Sequence, residues 1–270
     1  MSAEIQVNEK FGDLRILLSG VPCQSNRGYL GYCTVVLFKL EGAWTLFDTG
    51  HYSDRYLLLE ALGNVNLSPD DIRHVVLSHL HFDHILNISL FKNASITLSQ
   101  AELNYARQVS ANQRKDPSIP DFWPILLENR KIHTFEKSMT IGSGIEIVQM
   151  PGHTPGSSVM FYKGPFLIAV CGDAIKNSWE ALTGKAAICF GNPHQAKESI
   201  KNILQTASVI IPGHDRPFMI QKGGLEFLAP FQWEVRGNIF PKEQDGLILS
   251  MNIPSGFYSD PRQSMERAKA

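Results

Sequence analysis

The sequence predicts an α/β fold, and three observations point to it. Short apolar, β-branched runs of strand length recur along the chain and alternate with longer helix-like stretches. Several of these runs stop at a tight turn that carries a histidine or an aspartate. The densest such group, His79-Leu80-His81-Phe82-Asp83-His84, follows Ser78 at the end of the run Arg73 to Leu77. Side chains delivered to a common point by loops at the edge of a rigid sheet would produce this pattern.

In order, Leu14 to Leu18, Cys33 to Lys39 and Trp44 to Phe47 read as strands, with Gly28, Gly31 and Gly42 as turn residues. Phe47-Asp48-Thr49-Gly50 closes the third strand in a turn, and Tyr52 to Leu62 follows as a helix. Ser68 and Pro69 read as the N-cap and first position of another helix. Arg73 to Leu77 is a short buried strand, Ile96 to Leu98 another, and Ser99 caps a helix running to Ala111. Asn112 to Asn129 breaks the rhythm with a proline-rich loop in which Phe122 and Trp123 either pack on the core or form a lid or homodimer contact. Strands return at Ile145 to Met150, Val159 to Tyr162 and Phe166 to Cys171. An amphipathic helix, Gln195 to Thr206, precedes a strand at Ser208 to Ile211, and loop and strand surround Gly246 to Met251. No linker, low-complexity tract or alignable repeat interrupts the chain, so one domain over 1–270 is expected, with an insertion at 112–129.

The chemistry concentrates in the histidine cluster. His79 and His81 are two apart, so an extended backbone presents both on one side. Asp83 and His84 are adjacent where the chain curls into a helix, and can aim at a second point nearby. One metal at His79 and His81 and another at Asp83 and His84 is the geometric reading. Imidazole with carboxylate suits zinc, iron or manganese, and the lack of a thiolate in the run argues against a purely structural zinc. Three more candidates stand where strands end: His153 in Pro151-Gly152-His153-Thr154-Pro155-Gly156, Asp173 in Cys171-Gly172-Asp173, and His214 in Pro212-Gly213-His214-Asp215. A lone loop histidine is ordinarily a solvated side chain; with the cluster, these three complete a two-metal set.

These motifs resemble the metallo-β-lactamase superfamily, whose HxHxDH motif stands here as His79 to His84. The resemblance runs from the Asp48-Thr49-Gly50 turn to Pro212-Gly213-His214-Asp215. It implies an αβ/βα sandwich, two mixed β-sheets face to face with helices outside and two metals at one edge. It also implies that His79, His81 and His153 hold the first metal and Asp83, His84 and His214 the second. Asp173 would bridge them, and Asp48 would lie behind the ligands. Within the superfamily, the two proline-glycine-histidine turns resemble the N-acyl-homoserine lactonase-like hydrolases. Ser178-Trp179-Glu180-Ala181-Leu182 and Pro212 to Phe218 resemble the group of metallo-β-lactamase domain-containing protein 1 equally well, which keeps an RNA-cleaving alternative open. Asp173 stands where common zinc β-lactamases use cysteine, which speaks against antibiotic hydrolysis. Leu86 departs from the usual glycine before Asn87, and Ser157 stands where lactonases often have histidine.

Metal chemistry then sets the expected mechanism. A dinuclear site holds a bridging hydroxide at neutral pH, because coordination lowers the pKa of water from 15.7 to about 7. That hydroxide attacks an ester, lactone, thioester or phosphodiester, with Asp83 and Asp173 as the catalytic carboxylates. The expected partner is a small-molecule substrate; a non-catalytic metal-binding regulator is a further alternative. His51 is a candidate for the mouth of the site and Lys176 for an anionic substrate, although a surface lysine is the plainer reading; Trp179 reads as packing and Cys171 as core.

Composition sets outer bounds. A net charge of -1 with 19% charged residues gives no general support for nucleic-acid or membrane binding. Cys23, Cys33, Cys171 and Cys189 form no CxxC pair and read as reduced thiols of a cytoplasmic protein. The polar stretch Met1 to Lys10 and the short run Ile16-Leu17-Leu18 do not make a signal peptide, and no stretch reaches the length of a membrane span.

Overall fold

The computed structural model describes residues 11, 13–237 and 247–260. Its strands are, in chain order, β1 (Arg15–Leu18), β2 (Gln24–Ser25), β3 (Gly28–Tyr29), β4 (Val35–Leu40), β5 (Ala43–Phe47), β6 (Ile72–Val76), β7 (Ser95–Ser99) and β8 (Ile132–Phe135). They continue as β9 (Ser138–Thr140), β10 (Ile145–Gln149), β11 (Ser158–Lys163), β12 (Leu167–Val170), β13 (Val209–Ile211), β14 (Phe218–Gln221) and β15 (Gly224–Phe227). The last three are β16 (Phe231–Gly237), β17 (Leu247–Ile253) and β18 (Gly256–Ser259). One mixed sheet runs β1-β4-β5-β6-β7-β8 and a second runs β18-β15-β14-β13-β12-β11-β10-β9.

Side-chain alternation explains the layering. Along β4, Val36 and Phe38 join Phe47 and Val76 in a core shared with Ile147, Met160, Ile168, Val170 and Ile211 of the second sheet. The alternate residues Val35 and Leu37, with Leu46, Val75, Ile96 and Leu98, pack instead beneath Leu58, Leu62, Leu103 and Ala106 of helices Arg55–Asn64 and Gln100–Ser110. On the far side, Ala169, Cys171 and Ile210 lie under Ile200 and Ile203 of helix Pro193–Thr206. The result is helix, sheet, sheet, helix: the αβ/βα sandwich. Among the described residues no helix is long and apolar enough to cross a membrane.

Several elements differ from expectation. Ser68 and Asp71 do form a reciprocal cap, but over a single 3-10 turn, Pro69–Asp71, because Ile72 is already extended and enters β6. Tyr52–Asp54 is a separate 3-10 turn ahead of helix Arg55–Asn64. In the 112–129 stretch, Trp123 is buried, donates its indole N–H to Ser110 Oγ at 2.9 Å and opens a short helix, Trp123–Leu127, while Phe122 faces solvent. Strands β14, β15 and β18, which extend the second sheet beyond β13, were not anticipated.

Candidate metal centre

The site forms where the parallel strands of both sheets end. After β6 the chain bends at Ser78 and is extended at His81 (φ -70°, ψ 150°), the residue before the short helix Phe82–Ile85. His81 thus projects from extended chain, and Asp83 and His84 from the first helical turn. His153 follows β10, Asp173 follows β12 in a 3-10 turn, and His214 follows β13. All seven side chains are buried.

Close approach of the three later loops depends on glycine. A Cβ on Gly213 would stand 2.4 Å from Asp173 Oδ1, and Gly172, at φ +47°, lies where a Cβ would meet the Ser78 side chain at 2.5 Å.

Four imidazoles commit one ring nitrogen outward, which fixes the other. His79 Nδ1 pairs with Ser78 Oγ at 2.9 Å, and that hydroxyl donates to Asp48 Oδ2 at 2.7 Å. His84 Nδ1 donates to the same Asp48 Oδ2 at 2.7 Å. His153 Nδ1 donates to the Ile188 carbonyl at 2.9 Å, and His81 Nε2 donates to Asp116 Oδ2 at 2.9 Å. The inward nitrogens are therefore Nε2 of His79, His84 and His153, but Nδ1 of His81. Asp48, with φ +59°, is a non-glycine residue in the left-handed region, and its second oxygen accepts the Ser78 N–H at 2.8 Å.

What remains inside is a convergence of lone pairs. His79 Nε2, His84 Nε2, Asp83 Oδ2, Asp173 Oδ1 and His214 Nε2 are buried without a hydrogen-bond partner. Leaving one such group unsatisfied costs about 1–3 kcal/mol, so five in one place suit cations rather than a neutral core. Ligand atoms of His79, His81 and His153 lie within 4.8 Å of one another, as do those of Asp83, His84 and His214. Asp173 faces both groups: Oδ2 is 3.3 Å from His153 Nε2, while Oδ1 is 3.3 Å from His84 Nε2 and 3.1 Å from His214 Nε2. The donor set therefore fits two divalent ions sharing one carboxylate.

Electrostatics agree with that use for His79, His153 and the two aspartates, whereas His84, despite burial, is held well above its usual value by Cys33, Asp48, Asp83 and Asp173, and must lose its proton to bind an ion. Burial, with the neighbouring imidazoles, drives His79 well below its usual value, and burial takes His153 down to about 3, so both are neutral ligands. Burial opposes ionisation of Asp173, but the Lys176 ammonium and the surrounding histidines hold it well below the carboxylate range. Asp83 is likewise held down against burial by His84 and His214. Burial pushes the Cys33 thiol, which sits behind His84 and Asp48, up to about 12, leaving it a neutral thiol.

Asp116, Glu102, Ser78 and the Ile188 carbonyl were not singled out from the sequence. Asp116 comes from the 112–129 stretch and also accepts from Tyr105 Oη at 2.9 Å and from the Ser118 N–H at 3.0 Å. Glu102, fully buried, accepts from the Leu80 N–H (3.0 Å), the Thr154 hydroxyl (2.6 Å) and the Gly156 N–H (3.2 Å), tying the His79–His84 loop to the His153 loop. Lys176 is buried, not a surface residue; its Nζ lies 2.9 Å from Asp173 Oδ2 and over the Tyr29 ring. Trp179, expected to pack, is largely exposed. His51 is half-buried and stacks edge-on against Phe82 and Tyr32.

The model of the metallo-beta-lactamase superfamily matches residues 28–214 of this sequence. The chain belongs to that superfamily and is a metallo-hydrolase of it, with His/Asp clusters suited to divalent metal ions. Metallo-beta-lactamase domain-containing protein 1 of Xenopus laevis is 30% identical over 203 residues, covering 70% of this chain and 76% of that protein. The mouse form is matched over 60% of its length. N-acyl homoserine lactonase of a Bacillus species is 27% identical over 166 residues, 58% of this chain and 62% of that one. Among solved structures, a Thermotoga maritima protein grouped with the metallo-beta-lactamases superposes with a TM-score of 0.63 at 20% identity, covering 77% and 99% of the two chains. A variant of AiiA from Bacillus thuringiensis, with N-decanoyl-L-homoserine bound at its active site, gives 0.57 at 21% identity over 69% and 82%. At such identities the structural likeness speaks to the fold alone.

Proposed function

We propose that the protein is a dinuclear hydrolase of ester-like bonds, with a lactone, ester or thioester as substrate. In this reading His79, His81 and His153 hold one ion, Asp83, His84 and His214 the other, and Asp173 is shared. The observation that carries it is Asp173, whose two oxygens face different ligand groups. Two divalent ions, zinc for preference with iron or manganese as alternatives, would supply Lewis acidity and acidify water to a pKa of about 7. The chain supplies the rest. The Asp83 carboxylate accepts a proton during attack and returns it to the leaving group, while its Oδ2, 3.2 Å from His214 Nε2, faces the ion. Outward N–H bonds to Asp48, Asp116, Ser78 and Ile188 keep the imidazoles oriented throughout. The lactonase relative and the homoserine derivative in the AiiA variant support a lactone as the first substrate to try.

One observation favours a second reading. A buried ammonium, Lys176, beside the shared carboxylate suits an anionic centre, such as a phosphodiester, better than a neutral ester. The test sets initial rates of the metal-reconstituted protein on an acyl-homoserine lactone beside those on a short single-stranded RNA. Lactone turnover lost in Asp173→Ala, with the variant still folded by circular dichroism, is the expected result. RNA cleavage with no lactone turnover selects the second reading, and wild-type turnover in the variant overturns both.

A further inference from the structure

The β2–β3 hairpin is exposed at Gln24, Ser25 and Gly28 but turns Tyr29 inward, so that its Oη is buried. The Tyr29 ring packs in a T-shape against the His214 imidazole, centroids 5.4 Å apart and planes at 73°. Lys176 Nζ lies over the same ring, 4.7 Å from its centroid. A Cβ on Gly31 would collide with Cζ and Oη, so the glycine lets the backbone close against the tip of the phenol. Pairing of Tyr29 with Gln24 in the hairpin ladder adds a further restraint. The hydroxyl is therefore held in one place from several sides.

That place is at the donor set, because the charged groups that bear on the hydroxyl are Lys176, Asp173 and Asp83. Burial pushes the pKa of the phenol up, so it keeps its proton at neutral pH. Lys176, an ammonium, can only donate, and no described residue accepts the phenolic proton. Anchoring the hairpin does not explain that proton. Phenylalanine would fill the same space without burying an unsatisfied donor, which costs stability. Lys176 already pairs with Asp173 Oδ2 at 2.9 Å, and its charge beside the phenol strengthens the O–H as a donor. A fixed donor that lacks a partner in the resting protein is what a developing oxyanion needs, since the bond forms only as the charge appears.

We propose that Tyr29 is a catalytic residue of the metal site: its Oη–H donates a hydrogen bond to the substrate oxygen that turns anionic under attack. The proton stays on the phenol throughout, so Tyr29 takes no acid–base step. The assignment rests on the hydrolase reading and holds equally for a carbonyl and a phosphoryl oxygen.

The test is Tyr29→Phe in the zinc-loaded full chain, on the acyl-homoserine lactone or the single-stranded RNA, whichever the wild type turns over. kcat is expected to fall about 10²–10³-fold, with KM changed far less. Zinc content should be equal and the melting temperature not lowered, because the lost hydroxyl had no acceptor. Wild-type kcat in the variant overturns the proposal and leaves the hydrolase reading standing. Loss of zinc or a lower melting temperature shows a structural role and overturns it too. If the wild type hydrolyses neither substrate, the hydrolase reading fails and binding decides instead. Calorimetric titration with methylphosphonate, a tetrahedral oxyanion, should then show affinity about 10–100-fold weaker in the variant. Equal affinities, or no binding by the wild type, overturn the proposal.

Discussion

At the scale of single residues, the site works through hydrogen bonds that point away from it. His81 alone of the four oriented imidazoles presents Nδ1, because Asp116 holds its Nε2. Burial disfavours the charge on Asp116, but the hydrogen bonds from His81, Ser118 and Tyr105 keep its pKa below the usual carboxylate range. Asp116 is therefore an anion at neutral pH, and it strengthens His81 as a donor. Asp116→Ala should lower affinity for the first ion by about 10–100-fold, measured by competition with a chromogenic chelator. In the proposed two-ion reading, binding at Asp83, His84 and His214 should be unchanged. Equal loss at both ions would mean that Asp116 acts on the fold rather than through His81.

At the scale of elements, helix Gln100–Ser110 is the joint between two ligand loops. Ser99 Oγ accepts the Glu102 N–H at 3.0 Å, capping the helix, and donates to the Gly156 carbonyl at 2.7 Å. Glu102, one helical turn on, then receives donors from both loops. Gly156 lies so close that a Cβ there would stand 2.1 Å from the Glu102 nitrogen. Ser99→Ala removes a cap and a buried bond, for about 2 kcal/mol by chemical denaturation. Because the lost carbonyl contact belongs to the loop carrying His153, metal affinity should fall as well. A stability loss with unchanged affinity would show the two loops to be independently fixed.

At the scale of the whole molecule, the ligands arrive from both sheets: His79 to His84 after β6 of the first, His153, Asp173 and His214 after strands of the second. Ions held there cross-link the two halves of the sandwich, and a ligand bound only by the folded state stabilises it by mass action, by about 4 kcal/mol at a thousand times its Kd. Chelation with EDTA should therefore lower the melting temperature, and zinc should restore it. A melting temperature indifferent to chelator would contradict a centre spanning both sheets.

The histidine cluster was legible because its members are contiguous, and spacing alone tells which backbone carries which ligand. His153, Asp173 and His214 were legible because each follows an apolar strand at a glycine turn. The central strands and the helix at Ser99 could be read from periodicity and capping, which are local properties of the chain. Tertiary structure alone decided that Asp116 meets His81 from 35 residues away, that Glu102 joins two loops, and that Lys176 is buried beside Asp173. A single aspartate, glutamate or lysine reads as solvated until the fold says what faces it. Strands β14 to β18 were also invisible or partial, because such short segments take their identity from pairing partners. Sequence by itself thus determined which residues are candidate metal ligands and roughly which strands carry them. Packing decided the tautomers and the outer carboxylates, since each depends on burial and on contacts far apart in the chain.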